Sequence, residues 1–349
     1  MKKNIILISL ILIICSITNL TGQNVIEIKK PEISKLYFDV MKKTKELEAQ
    51  NSEESVRLYT DALASVQGEY ERFNIIFWGL SFVYSKMGLF QNSLDIMLKG
   101  QEEGLYFPIR TGERKWPAFV EELEELNGFS NFIEENNRLR SSDQLNAKTE
   151  YFVRLPEKYN QEKTFPLLIV LTGGFGSHLG LSKDWYSQQL TSDYIVAYTH
   201  GNQCQGSYLF SYDRENYKKN IRTIYDQVVQ KYSVDTSRVI LGGPSAGGAR
   251  SLILTLDGII PARGLLLGFP VIPREMDENK IKKTAESGLR LAMITGENDF
   301  GLKKQKEAAV LFDKHELPNR FLIYPEKGHE YPDDFTYQID LSLDFIFKK

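Results

Sequence analysis

The segment Gly243-Pro244-Ser245-Ala246-Gly247 places a serine between small residues, directly after the apolar run 239–241 and before a helix-like stretch, 248–255. Glycines on both sides let a backbone bend sharply from strand to helix and lift the hydroxyl above a sheet edge, where it can attack a carbonyl. A hydroxyl is a weak nucleophile near neutral pH. The geometry therefore calls for a histidine to take its proton and a carboxylate to hold that histidine's tautomer. The chain supplies both in order. Asp299 lies in Gly296-Glu297-Asn298-Asp299-Phe300, just past the run 291–294, and His329 lies in Lys327-Gly328-His329-Glu330, just past 321–324. Glu297 and Asp277 are the competing acids. His315 belongs to or just follows the helical run 303–314, whereas His178 and His200 fall near strand ends on the same edge and are candidates for substrate contact.

Attack on a carbonyl also needs donors for the charge that builds on its oxygen. Thr172-Gly173-Gly174-Phe175-Gly176 follows the run 167–171 and can turn N–H groups inward. The expected oxyanion donors are the backbone N–H of Ala246 with that of Gly174 or Phe175.

These residues must be carried by a sheet. After residue 146 the chain alternates strands with helices, with strands expected at 151–155, 167–171, 194–198, 239–241, 265–267, 291–294 and 321–324. Between them Tyr217, Ile221, Ile224, Tyr225, Val228 and Tyr232 mark one face of an amphipathic helix. This order suits a mostly parallel sheet covered on both faces. The segment 269–288, between two late strands, is a candidate short cover over the pocket.

The chain before residue 148 has a different texture. No proline occurs from 32 to 107, and apolar residues recur at helical spacing: Ile33, Leu36, Tyr37 and Val40; Val56, Tyr59, Leu63 and Val66; Phe73, Phe77, Leu80 and Tyr84. Pro117 is placed for the first turn of a further helix ended by Asn127-Gly128.

With these residues in view, 148–349 resembles an α/β-hydrolase of the esterase and depolymerase type, related to the prolyl oligopeptidase catalytic domain. The likeness rests on Val234-Asp235-Thr236-Ser237-Arg238-Val239 leading into Gly243-Pro244-Ser245-Ala246-Gly247-Gly248. It implies an α/β-hydrolase fold and a serine hydrolase that works through an acyl-enzyme without a cofactor. Thr172 departs from the histidine frequent in the family's oxyanion segment, and Pro244 fills a variable elbow position. Within 24–147, the positions Phe77, Leu80, Ser81, Tyr84, Gly88, Phe90, Ser93, Met97 and Gly100 resemble one tetratricopeptide unit, with Ser93 and Gly100 where alanine is usual. A single unit needs flanking helices to cap it; a helical hairpin without a binding role is the alternative.

The expected organisation is a signal peptide at 1–23, a smaller all-α region at 24–147 and the α/β domain at 148–349. Lys2 and Lys3 precede an apolar run at 5–14, and 16–24 turns polar, as in a secretory leader that directs the chain to the periplasm or outside the cell. The run is shorter than the roughly 20 apolar residues a span needs. A lipoprotein reading through Cys15 is weaker because Ile14 is bulky. Cys204 is then the only thiol, which excludes an intramolecular disulfide. The four histidines show no metal-motif spacing. With 43 Lys plus Arg against 46 Asp plus Glu, the formal net charge is −3 and gives no reason for a nucleic-acid partner. A small or oligomeric ester is the expected substrate, with the helical region open to a protein partner. A peptide substrate, or an inactive interaction protein, are the alternatives.

Overall fold

The computed structural model describes residues 24–47, 51–274 and 276–347, so the expected leader at 1–23 lies outside the described residues. Its strands are β1 (Val25–Glu27), β2 (Thr149–Arg154), β3 (Phe165–Leu171), β4 (Ile195–His200), β5 (Gln203–Gly206), β6 (Leu209–Ser211), β7 (Val234–Pro244), β8 (Gly264–Gly268), β9 (Arg290–Gly296) and β10 (Asn319–Tyr324). Eight of them form one sheet in the order β1-β2-β4-β3-β7-β8-β9-β10, and β5 pairs with β6 as a separate hairpin. From β4 to β10 every neighbour is parallel, while β2 runs antiparallel to β4 and β1 lies parallel to β2. Parallel strands deliver all their C-terminal ends to one edge, and the loops that leave there can converge on one place.

The central strands are continuous apolar runs because both of their faces are covered. Along β3, Leu167, Ile169 and Leu171 join one hydrophobic cluster, and Leu168 and Val170 join another. The first cluster is closed by α9 (Tyr217–Lys231), α10 (Ala246–Leu256), α11 (Glu278–Glu286) and α12 (Leu302–Lys314). On the other face lie α7 (His178–Asp184), α8 (Gln188–Asp193) and α13 (Phe335–Ile346). The seven strands expected after residue 146 are present. β1, β5 and β6 are additional.

The helical half comprises α1 (Lys35–Leu47), α2 (Ser52–Ser65), α3 (69–86), α4 (Phe90–Glu102), α5 (Val120–Glu124) and α6 (Phe129–Gln144). Tyr37, Tyr59, Ala62, Val66, Tyr70, Ile75, Leu80 and Val83 belong to the same cluster as the underside of the sheet. β1 lies in the stretch expected to be wholly helical, and it pairs with β2 at the sheet's edge. α3 and α4 form an antiparallel hairpin that turns at Gly88, where φ is +73°. The Ser93 hydroxyl donates to the Ser81 carbonyl across it. Within α3, Ile75–Ser81 winds as a π-helix. Six of its seven residues are buried, and Gly79 admits the Tyr59 ring at a distance where a Cβ would sit 2.9 Å from it. Pro117 precedes the short α5 rather than opening a long helix.

A third cluster, built on Phe73, Phe77, Met97, Phe107 and Phe132, is the helical half's own, and Leu209 of β6 reaches into it. The chain at Phe107, which follows α4, is pinned by Asn136 on α6. The Asn136 amide donates to the Phe107 carbonyl and its oxygen accepts the Phe107 N–H, both at 2.7 Å. Asn136→Ala would leave two buried backbone groups unpaired, each worth on the order of 1–3 kcal/mol. A lower urea midpoint with an unchanged m-value is the expected result.

Candidate active site

Ser245 stands between β7 and α10 with φ +52° and ψ −122°, a conformation rare for a residue with a side chain. Its N–H donates to the Gly268 carbonyl at 2.8 Å and its carbonyl accepts from Val271 N–H at 3.1 Å, which tie the turn to the end of β8. A Cβ at Gly243 or Gly247 would collide with the carbonyl oxygen of Leu171 at the end of β3. These two glycines are required by close approach, and the bend at Ser245 follows.

Asp299 and His329 leave β9 and β10 at the same edge. The Ser245 hydroxyl lies 2.9 Å from His329 Nε2, and His329 Nδ1 lies 2.7 Å from Asp299 Oδ2. The Asp299 side chain is fully buried, and its Oδ1 accepts from Gly301 N–H at 2.6 Å. Gln305 braces it at 3.4 Å while also donating to the Pro270 carbonyl. The His329 loop is seated by Asn298 N–H donating to the Lys327 carbonyl, and Gly296 has no room for a Cβ against Lys327 and Gly328. Phe269 and Phe300 hold the imidazole between ring centroids 4.7 and 4.4 Å away.

The competing groups go elsewhere. Asp277 caps α11, accepting from Asn279 and Lys280 N–H. Glu297 accepts from Glu326 N–H at the surface, and His315 pairs with Glu278.

Gly174 and Phe175 line a cavity of about 470 Å³ together with Ser245 and His329. Ala246 is the next residue after the serine, at the head of α10. The turn is fixed by Arg250 donating to the Gly173 carbonyl at 3.1 Å, and by Gly176 exchanging two 3.0 Å hydrogen bonds with Phe210 of β6. The Phe175 ring rests on Trp116 at 5.0 Å.

The expected cover at 269–288 does not roof this cavity. Among the described residues of this segment only Phe269 lines it; α11 packs through Ile281 on the sheet face opposite the one that carries the helical half. The roof comes from the helical half and the β5–β6 hairpin, through Tyr70, Phe73, Asn74, Trp78, Tyr208 and Leu209. Tyr70, Asn74 and Trp78 recur every four residues, a second stripe beside the one formed by Phe73, Phe77, Leu80 and Tyr84, and that was the available signal. Tyr331, two residues past His329, was also not singled out; its hydroxyl accepts from Trp185 Nε1 at 2.9 Å.

His178 and His200 do not reach the cavity. They are 5% and 1% exposed and sit beside Glu150 of β2, with Nε2–Oε2 distances of 3.7 and 3.5 Å. The three ligand atoms lie within 4.8 Å of one another, as a metal site would require. The hydrogen-bond pattern argues against that use. His178 Nδ1 accepts from Leu179 N–H at 2.9 Å, so the neutral ring carries its proton on Nε2 and presents a donor to the cluster. One imidazole and one half-buried carboxylate fall short of the three protein ligands of a zinc centre. Sequence spacing did not bring these residues together because they come from three separate segments.

No protein-family model matches the chain, and no curated protein matches it. Similar solved structures include a Bacillus cereus ATCC 10987 protein titled uncharacterized, at 19% identity over 89% of this chain and 98% of that one, TM-score 0.48. The Bacillus cereus carboxylesterase is 17% identical over 60% and 99%, TM-score 0.46. Thermogutta terrifontis esterase Est2 is 14% identical over 57% and 86%, TM-score 0.43. At such identities the residue assignments rest on this chain's own geometry.

The Glu150 cluster sets a pH dependence. The His178 and His200 imidazoles that face it hold the Glu150 carboxyl down at about 2, and burial pushes His178 down to about 4. Both folded values lie below the unfolded ones, so the stability they contribute is lost as pH falls, from about 6.5 to 4 for His178 and from about 4.5 to 2 for Glu150. His178→Asn, whose Oδ1 can take the Leu179 N–H, should flatten the fall in melting temperature between pH 7 and 4, measured by parallel thermal melts.

Proposed function

We propose that the chain is a serine hydrolase of carboxylic esters. The observation that carries this reading is the continuous hydrogen-bonded line from Ser245 through His329 to buried Asp299, at the wall of an open cavity. A volume of about 470 Å³ suits the acyl or alkoxy part of a small ester.

In the proposed reaction Ser245 Oγ attacks the ester carbonyl as its proton passes to His329 Nε2. Asp299 Oδ2, held by Gly301 N–H, keeps the Nδ1 proton in place and stabilises the imidazolium that forms. The carbonyl oxygen turns toward the backbone N–H of Ala246 and that of Gly174 or Phe175 as it becomes negative. His329 then returns the proton to the leaving alkoxide, leaving an acyl group on Ser245. Water, deprotonated by the same imidazole, releases the acid and restores the serine. The residues in this scheme need no cofactor. The leader-like segment at 1–23 supports action in the periplasm or outside the cell.

Ser245→Ala should lower kcat on a short-chain aryl ester by about 10⁴-fold or more while circular dichroism stays unchanged. A fluorophosphonate probe should label the parent protein on Ser245 and leave that variant untouched. Undiminished turnover in the variant would reject the assignment. A parallel panel of proline-containing peptides separates ester from peptide hydrolysis, with hydrolysis expected only in the ester series.

A further inference from the structure

Asp184, at the C-terminal end of α7, is the only carboxylate among the described residues lining the cavity, and these include neither lysine nor arginine. The Asp184 carboxylate makes no hydrogen bond and no ion pair with the described residues. Asp184 as a residue is exposed, and partial desolvation by the protein around it raises its pKa to about 6, opposed by the charges of Lys183 and then Lys45, so it is largely ionised at neutral pH. The neighbouring Lys183 does not neutralise it by contact. That ammonium donates to the Tyr37 hydroxyl at 3.0 Å and lies 4.4 Å from the Tyr37 ring centroid and 5.1 Å from that of Tyr70, with Glu71 adding further negative charge nearby.

The cavity that Asp184 lines is aromatic. Tyr70, Phe73, Trp78 and Tyr208 wall it from the roof, and Tyr331 lies on the side of His329. An alkyl group filling this space would strip water from the carboxylate and return nothing. A cation would restore the lost interaction, and aromatic faces attract a cation as well. The combination of one unpaired carboxylate with ring faces is selective for positive charge.

We propose that the group taken into this cavity is cationic, a quaternary or protonated amine, and that Asp184 determines that preference. The inference rests on the hydrolase reading for the ester that carries the cation, and on the cavity lining for the charge. Asp184 takes no part in bond making; it is a specificity residue.

The test uses charge-matched pairs of equal shape. Choline esters are compared with 3,3-dimethylbutyl esters for a cation on the alcohol side. Aryl esters of 4-(trimethylammonio)butyrate are compared with those of 5,5-dimethylhexanoate for the acyl side. One pair should show a kcat/KM ratio of about 10 or more in favour of the cation, carried mainly by KM, and Asp184→Asn should bring that ratio several-fold nearer to one. Equal use of cationic and neutral partners in both pairs overturns the inference, as does a preference that survives Asp184→Asn. A binding arm separates this from the hydrolase reading. Ser245→Ala should bind phenyltrimethylammonium more tightly than tert-butylbenzene by calorimetry, and lose that difference when Asp184→Asn is added. If no ester is cleaved while that difference persists, the hydrolase reading falls and the cation site stands. If esters are cleaved without any charge preference, the hydrolase reading stands and the cation site falls.

Discussion

The carbonyl oxygen of Leu171 is packed so closely against Gly243 and Gly247 that neither position can carry a side chain. This contact seats the turn after β7 directly on the end of β3, and much of the site's geometry follows from it. With the turn pressed down, Ser245 must take a positive φ, a strain worth about 1–3 kcal/mol for a residue with a Cβ. The hydrogen bonds to Gly268 and from Val271 hold it there. The same packing brings the glycine-rich turn after β3 beside the serine, where a Cβ on Gly173 would lie 3.7 Å from that of Ser245. Ser245 and the glycine-rich turn are therefore placed by one close contact between two parallel strands.

A comparable contact places the other two groups. Gly296, the last residue of β9, lies under the backbone of Lys327 and Gly328, and the two loops exchange the bond from Asn298 N–H to the Lys327 carbonyl. Asp299 and His329 then meet because their loops are stacked. Gly301 N–H and Gln305 fix the carboxylate's other oxygen, which leaves Oδ2 to the imidazole. Three side chains 84 residues or fewer apart in sequence reach hydrogen-bonding distance through backbone packing at strand ends.

What could be read in advance follows the range of the physics involved. Buried parallel strands are apolar on both faces, so 167–171 and 291–294 announce themselves in composition, and the order of Ser245, Asp299 and His329 is visible because each follows such a run. β5 was not visible: Gln203–Gly206 is polar and pairs only within its own hairpin. Helical periodicity in 24–147 shows which faces are apolar without showing what they meet. Tyr70 and Trp78 therefore looked like ordinary helix residues, and the roof was sought at 269–288. Asp277 could be weighed as an acid because its capping bonds depend on where α11 begins. The Glu150, His178 and His200 cluster is assembled by tertiary packing alone, as is the exposure of Asp184 to the cavity.

The division near residue 148 marks a change of sequence texture, but the packing runs across it. The Tyr106 N–H donates to the Ser207 hydroxyl at 2.9 Å, and Ser207 N–H donates back to the Tyr106 carbonyl at 2.7 Å. These bonds fasten the helical half to the β5–β6 hairpin, which in turn exchanges two backbone bonds with Gly176 of the glycine-rich turn. Phe175 is gripped from the same side by Trp116 and by the Arg110 guanidinium, 5.5 Å from its ring centroid. The helices thus form the roof of the cavity and also brace the turn expected to hold the developing charge. A helical half that moved as a separate body would carry Trp116 and the hairpin with it and disturb Gly174 and Phe175. The cluster around Phe73, Phe77 and Phe107 therefore supports the site alongside the sheet, although most of its members lie outside the half of the chain that carries the serine, acid and histidine.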